Sequence, residues 1–400
     1  MIRAMRVPLL DLGEQYRILA EPIRTTIDEV LKSHRFILGP KVREFEESVA
    51  AFCGSPYAVG VSSGTDALLS ILMALRIGRG DAVITPAFTF FATAACAVRL
   101  GATPHFVDID PTSYNMSPEG LEAFLRSACQ MTSRGLTVGR TGEVARAIIP
   151  VHLFGLCCDM KPILELGDEF SIPVIEDAAQ AIGAEYPAGE RVRSAGTMGT
   201  AGFFSFYPSK NLGAAGDAGL VVCRHAELNA NLRALREHGM GPRYYHSLVG
   251  GNFRLDEIQA AILGVKLPHL KKWAAARRQA ADFYREEFGR HGLTQHVALP
   301  AEPYRDAVTE HHVYHQFVIR TSQRDALRRY LTENEVGTEI YYPLGLHRQV
   351  CFRDLNCAEA TLPETDRAAL ETLALPMYAE ISRDAQRYVV DVVARFFFKR

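Results

Sequence analysis

Lys210 stands in Phe203-Phe-Ser-Phe-Tyr-Pro-Ser-Lys210-Asn-Leu-Gly-Ala-Ala-Gly-Asp-Ala-Gly219, between a short aromatic strand and a glycine-rich turn. Semi-apolar surroundings weaken a lysine's preference for its charged form, and a neutral amine condenses with an aldehyde. Earlier in the chain, Val174-Ile-Glu-Asp177-Ala-Ala-Gln180 is an apolar strand that ends in a carboxylate. An imine-forming lysine with an acid at a strand end suits pyridoxal phosphate (PLP), whose pyridine nitrogen the acid keeps protonated. A third segment offers a place for the phosphate. Val59-Gly-Val-Ser62-Ser63-Gly64-Thr65-Asp66 leads into the apolar run Ala67–Leu75, so a helix starts on small hydroxyl residues, a glycine and free backbone N–H groups. Such a start attracts anions through its unpaired donors and the helix dipole. The plainer alternatives are a solvated surface lysine and an ordinary serine N-cap. The three pieces together favour the cofactor.

These residues need a scaffold, and the hydrophobic pattern supplies one. Candidate strands are Tyr57–Val61, Ala82–Thr85, Thr103–Val107, Ala147–Val151, Val174–Ile175, Gly202–Phe206 and Leu220–Cys223. Between them fall candidate helices at Thr65–Leu75, Phe91–Leu100, Pro118–Ser127 and Met160–Phe170. Alternation of this kind predicts a largely parallel sheet covered on both faces, with ligands at the carboxyl ends of its strands. Ser62, Asp177 and Ser205 all lie near such ends. A long helical stretch follows from Leu255 to Glu287, interrupted near Pro268, and then strand, helix and strand at Tyr314–Ile319, Arg324–Glu333 and Gly337–Ile340. This second pattern predicts a smaller α+β domain. Residues 8–50 read as amphipathic helix, and residues 128–146 as a polar surface loop or hairpin. No internal repeat or low-complexity tract is present.

Composition narrows the class. The 400 residues exceed the roughly 250–300 at which one core stops growing, so two domains are expected. A formal net charge of −2, with signs interspersed, gives no reason to expect nucleic acid or an anionic membrane as partner. The cysteines at 53, 96, 129, 157, 158, 223, 351 and 357 form no C-x-x-C pair, which argues against a zinc site or disulfide framework and fits a reducing cytoplasm. The opening Met1-Ile-Arg-Ala-Met-Arg-Val-Pro lacks the apolar core of a signal peptide, and no apolar run approaches transmembrane length. A nicotinamide enzyme would need G-x-G-x-x-G after the first strand, and Gly60-Val-Ser-Ser-Gly64 lacks it.

Further motifs run the length of the chain: Phe36-Ile-Leu-Gly-Pro, Ser63-Gly-Thr-Asp-Ala-Leu, Pro86-Ala-Phe-Thr-Phe90-Phe-Ala-Thr, Val151-His-Leu-Phe-Gly, Glu176-Asp-Ala-Ala-Gln-Ala, Gly251-Asn-Phe-Arg-Leu-Asp-Glu, Tyr342-Pro-Leu-Gly-Leu-His and Leu373-Ala-Leu-Pro-Met-Tyr. With Phe204-Ser-Phe-Tyr-Pro-Ser-Lys-Asn-Leu-Gly they resemble the PLP-dependent sugar aminotransferases called the DegT/DnrJ/EryC1/StrS family. The resemblance implies an α/β fold of the aspartate aminotransferase type (PLP fold type I). It would have a large PLP-binding domain over residues 1–260, with a mixed, mostly parallel sheet, and a smaller α+β domain over 261–400.

By the same resemblance Lys210 is the Schiff-base lysine and Asp177 the partner of the pyridine nitrogen. Gln180 is similar to the residue that bonds the cofactor's ring oxygen. Gly64, Thr65 and Ser205 match the phosphate cradle, and Phe90 the aromatic that stacks on the ring. Asn252 corresponds to a residue given by the neighbouring subunit, so a homodimer with shared active sites is expected. His152 and His347 also fall in family motifs, but a lone histidine is more often a satisfied structural residue, and both stay outside the catalytic set. No metal is expected.

The implied chemistry is ping-pong transamination from glutamate to a nucleotide-linked keto sugar, for amino-sugar, polysaccharide or glycoconjugate synthesis. Pro208-Ser-Lys-Asn-Leu-Gly-Ala resembles members that aminate C3 of the hexose rather than C4. Arg254, Tyr341 and Tyr342 are candidates to line the outer cleft. Two rivals differ in kind: a related dehydrating branch lacks the lysine, and a non-enzymatic PLP- or sugar-binding regulator would need no turnover.

Overall fold

Short runs of buried aliphatic and aromatic residues form a mixed central sheet, and the helices between them cover it. The computed structural model describes residues 5–355 and 360–398. Cys357 and the first four residues, part of the segment read for a leader, lie outside the described residues. Two helices open the chain, α1 (Gly13–Ser33) and α2 (Pro40–Cys53). Then come β1 (Tyr57–Val61), α3 (Gly64–Ala74), β2 (Asp81–Pro86), α4 (Ala92–Arg99), β3 (Thr103–Val107) and α5 (Pro118–Ala123). The strands β4 (Cys129–Thr132), β5 (Gly135–Val138) and β6 (Val144–Ile148) precede α6 (Met160–Glu169) and β7 (Ile175–Asp177). A small hairpin, β8 (Glu185–Ala188) with β9 (Arg191–Ser194), leads to β10 (Ala201–Ser205), β11 (Gly219–Cys223) and α7 (Ala226–Arg236).

The sheet order is β1-β11-β10-β7 on one side and β3-β2-β6-β5-β4 on the other. Parallel bridges from Ile148 to Val174 and from Val151 to Asp177 join the halves. β7–β10, β2–β3 and β2–β6 are parallel, whereas β11 runs antiparallel to both β1 and β10. All five residues of β11 and four of the five in β10 are buried, as expected of strands covered on both faces.

Two expected boundaries move for identifiable reasons. The strand predicted at Ala147–Val151 is regular only over Val144–Ile148; Pro150 has no N–H to give, so pairing beyond it survives as one bridge. The polar segment 128–146 is a hairpin that extends the sheet edge, with Cys129 opposite Val138 and Thr132 opposite Gly135.

The remaining chain carries α8 (Glu257–Lys266), α9 (Leu270–Arg290), β12 (Phe317–Arg320), α10 (Arg324–Glu333), α11 (Pro363–Glu371), β13 (Thr372–Leu375) and α12 (Arg383–Phe398). A 3-10 turn at Leu267–His269, where Pro268 breaks the ladder, separates α8 from α9. The expected partner strand at Gly337–Ile340 makes a single bridge, Glu339 to Ala374; β13 is the strand that pairs β12. β13 carries no polar alternation because all four of its residues are buried. Apolar packing divides within α9. Leu270 and Ala274 join the core under the large sheet, while Ala280, Tyr284 and Phe288 join a second core with Phe317, Leu327, Leu373 and Val389. Among the described residues no helix is long and apolar enough to cross a membrane.

Candidate active site

Strand register brings the expected residues to one end of the sheet. β7 and β10 run parallel with Asp177 opposite Phe203, so Asp177 and Ser205, two residues further along β10, lie toward the same end of the sheet. Asp177 is buried, and its Oδ2 accepts from Thr93 Oγ1 at 2.8 Å while Oδ1 accepts from Ala179 N at 3.1 Å. Burial raises its pKa above the ordinary value, against the pull of these two bonds and of the nearby Lys210 and His152. A carboxylate desolvated this far gains from a further cationic or N–H partner.

Lys210 is that site's amine. It lies in a turn closed by Lys210 N donating to Tyr207 O, Ala214 N to Phe206 O and Phe206 N to Ala218 O, each at 2.8 Å. Gly213 is required there, since a Cβ would fall 2.3 Å from Pro208 O. Burial of the ammonium lowers the pKa of Lys210 to about 8, with Asp177 pulling the other way. Near that pH the amine is substantially neutral and nucleophilic.

The start of α3 presses onto the ends of β10 and β11. A Cβ on Gly64 would lie 2.7 Å from Ser205 Cβ, and one on Gly219 would lie 2.4 Å from the Ser63 carbonyl. Side chains at those glycines would collide with these neighbours, so the two glycines let the helix start sit directly against the strand ends and bring the Gly64 and Thr65 amides close to Ser205. Ser63 is the N-cap, its Oγ accepting from Asp66 N at 3.0 Å, and Ser62 Oγ donates to Asp66 Oδ2 at 2.6 Å. Capping by serine is thus realised, and the first-turn amides of Gly64 and Thr65 still have no carbonyl one turn back within the helix. Cradle, desolvated acid and depressed lysine converge as a phosphate, a pyridine nitrogen and an aldehyde require. The residues fit PLP.

Gln180 is held rigidly: its Oε1 accepts from Phe154 N at 2.6 Å and its Nε2 donates to Tyr342 OH at 2.8 Å. An expected cofactor residue is thereby tied to an expected substrate residue. Tyr342 is buried, which pushes its phenol pKa up, and its ring stacks on Phe154 at 6.0 Å. Tyr341 beside it is more open, and burial raises its pKa less far. Phe90 is 60% exposed, so core packing does not account for it. The neighbouring Phe91 instead stacks on Phe352. Asn252 is exposed on a segment that bridges Glu237, and Arg254 bridges Val61 at the end of β1, next to the α3 cradle. Arg254 Nε is buried without a hydrogen-bond partner.

The two histidines set aside have structural surroundings. His152 is fully buried, with Nδ1 accepting from Cys158 N at 3.0 Å and Nε2 facing Glu176 Oε2 at 2.9 Å. His347, also buried, faces Asp366 at 3.4 Å, and neither of its ring nitrogens makes a hydrogen bond, so it is less fully satisfied than His152. Three residues were not singled out from sequence. Thr93 bonds Asp177; Asn211 donates Nδ2 to Val313 O at 2.8 Å; and Asn211 Oδ1 faces His315 Nδ1 at 3.3 Å. Burial first, then Lys210 and Arg277, drive the pKa of His315 well down, so a neutral imidazole stands near the amine. The one local signal is the amide side chain of Asn211 directly after Lys210. A groove of about 820 Å³ lined by Arg35, Arg43, Glu46, Arg233 and Arg236 lies elsewhere and contains none of the expected site residues.

Known proteins resemble the chain along nearly its whole length. The model of the DegT/DnrJ/EryC1/StrS aminotransferase family matches residues 18–394. The chain is 43% identical over 393 residues to the pleiotropic regulatory protein of Geobacillus stearothermophilus, covering 98% of this chain and 99% of that one. It is 41% identical over 389 residues to UDP-N-acetyl-3-dehydro-alpha-D-glucosamine 3-aminotransferase of Acidithiobacillus ferrooxidans, covering 97% of each. A solved family aminotransferase from Brucella abortus has a TM-score of 0.89 at 35% identity, covering 98% of this chain and 99% of that one. NtdA of Bacillus subtilis, solved with bound cofactor PMP, has a TM-score of 0.86 at 28% identity, covering 98% and 85%. The fold is PLP fold type I, the protein is a PLP-dependent sugar aminotransferase, and the chain belongs to the DegT/DnrJ/EryC1/StrS aminotransferase family.

Proposed function

We propose that this aminotransferase moves the amino group of glutamate to the C3 keto group of a nucleotide-linked hexose, in the cytoplasm, for amino-sugar polysaccharide or glycoconjugate synthesis. The observation that carries the reading is the pairing of a lysine whose pKa is lowered to about 8 with a buried carboxylate, at strand ends beside a helix-start cradle. Support for C3 comes from the turn Pro208–Ala214 and from the 3-amino specificity in the name of the Acidithiobacillus relative.

When bound, PLP supplies an electron sink for the carbon that gains or loses nitrogen. The chain's own residues do the rest. Gly64, Thr65 and Ser205 would hold the phosphate, Phe90 would pack against the ring, Gln180 would bond the ring oxygen, and Asp177 would keep the ring nitrogen protonated. Lys210 would hold the cofactor through its amine and would move the proton at the substrate carbon, a role that typically contributes about 10²–10⁴-fold. Arg254, Tyr341 and Tyr342 face the nucleotide sugar. Residues 1–260 and 261–400 act as the two domains, and two chains share their sites through Asn252.

The deciding assay offers the purified enzyme glutamate with a 3-keto or a 4-keto nucleotide hexose and locates the new amine by NMR. Amination at C3 is expected; turnover of the 4-keto sugar alone overturns the C3 assignment. Sharing is checked by mixing Lys210→Ala with Asn252→Asp, whose defects fall on one site of a mixed dimer. Activity should return. Proven heterodimers that stay inactive refute sharing.

A further inference from the structure

We propose that Lys266 is a positioning residue for Lys210, holding from α8 the backbone turn that presents the reactive amine. The inference rests on the reading of Lys210 above. Lys266 Nζ donates to Gly213 O, three residues past Lys210. One helical face earlier on α8, Gln259 clasps the same turn, with Ala215 N donating to its Oε1 at 2.9 Å and its Nε2 donating to Ala215 O at 3.3 Å. Positions 259 and 266 lie two turns apart, so both side chains project to one side of the helix. Asn211 ties the other flank to Val313, and Leu212 between them is fully buried. The segment that follows Lys210 is therefore anchored at Asn211, Gly213 and Ala215.

The choice of residue is what calls for an explanation. Lys266 is 8% exposed and borders an apolar groove lined by Leu19, Ile23, Pro208, Ala214 and Ile262. Burying an ammonium is costly unless it is paired, and methionine would fill the same space without that cost. Its pKa falls to about 8 through burial, with only Glu380 pulling back. Stability therefore does not favour lysine here. A long donor that reaches the Gly213 carbonyl does account for it, because a catalytic amine displaced by a fraction of an ångström loses rate.

The test uses enzyme loaded with the amino form of the cofactor, in which Lys210 is free. Competitive acetylation across pH, read by peptide mass spectrometry, gives the midpoint of Lys210, whose facing charged or titratable groups are Asp177 and His315. Lys266→Met should raise that midpoint by about half a unit or more, since a loosened turn rehydrates the ammonium. It should also lower kcat by about tenfold with KM unchanged. Ile262→Ala, which opens the same groove without touching Gly213, should lower Tm and leave the midpoint in place. An unchanged midpoint in Lys266→Met, or an equal shift in Ile262→Ala, overturns the proposal. If Lys266→Met does not fold, Gln259→Leu decides by the same criteria. Failure of the Lys210 reading would show separately, as a pyridoxyl label on another lysine after borohydride reduction, because the acetylation midpoint reads Lys210 whichever lysine holds the cofactor.

Discussion

Glu176 and Asp177 are consecutive acids on one strand, and they have opposite fates. Side chains alternate along β7, so the two carboxylates leave on opposite faces. Glu176 is sealed in. It accepts from Gly196 N at 2.8 Å, Met198 N at 2.6 Å and Gly199 N at 2.7 Å, and His152 Nε2 lies 2.9 Å away. Asp177 has two donors, looks toward Lys210, and is pushed up in pKa by burial. A carboxylate whose lone pairs are filled by rigid amides serves the fold. One left short of partners in the same dry sheet is available to a ligand.

The comparison breaks most clearly on Asp177→Asn. That variant should fold with an unfolding midpoint no lower than the parent and lose about 10²–10⁴-fold in kcat, the range for a group that governs protonation at the reacting centre. Near-normal turnover would end its assigned role. Glu176→Ala should do the reverse. It strands three buried amides, at about 1–3 kcal/mol each, so urea unfolding should show a loss of at least about 3 kcal/mol while activity per folded molecule persists.

A third outcome concerns pH. In the cofactor-free protein Lys210 takes up its proton near 8 when folded and near the ordinary 10.5 when unfolded. Below pH 8 both states are protonated and the penalty is constant. From about 8 to 10.5 the unfolded state holds the extra proton, so stability should rise with pH relative to Lys210→Met, which lacks the group. Parallel stability curves for the two proteins across that window would show that the amine is not desolvated. The smallest effect is expected for Tyr342→Phe, which removes the acceptor of the Gln180 amide and should cost about 1 kcal/mol, near fivefold in kcat/KM.

Much of this contrast was present in the order of residues. Glycine and proline punctuation, together with short apolar runs such as Tyr57–Val61 and Thr103–Val107, marks strands whose observed limits are the same, because period and length suffice where turn residues bound the run on each side. The lysine turn, the acid at a strand end and the serine-glycine helix start are local patterns, and each carries its own chemistry. What sequence could not convey is which neighbours saturate which group. Glu176 and Asp177 are equally acidic on paper; only the loop at Gly196–Gly199 and the start of α4 decide that one is filled and the other open. Pairing of β12 with β13 rather than with 337–340, the link from Gln180 to Tyr342 across 162 positions, and the anchoring of the Lys210 turn by Lys266 are of the same kind. Motifs are read from short-range spacing, whereas desolvation and hydrogen-bond saturation are sums over everything the folded chain brings within a few ångströms, and that sum exists only in the tertiary structure.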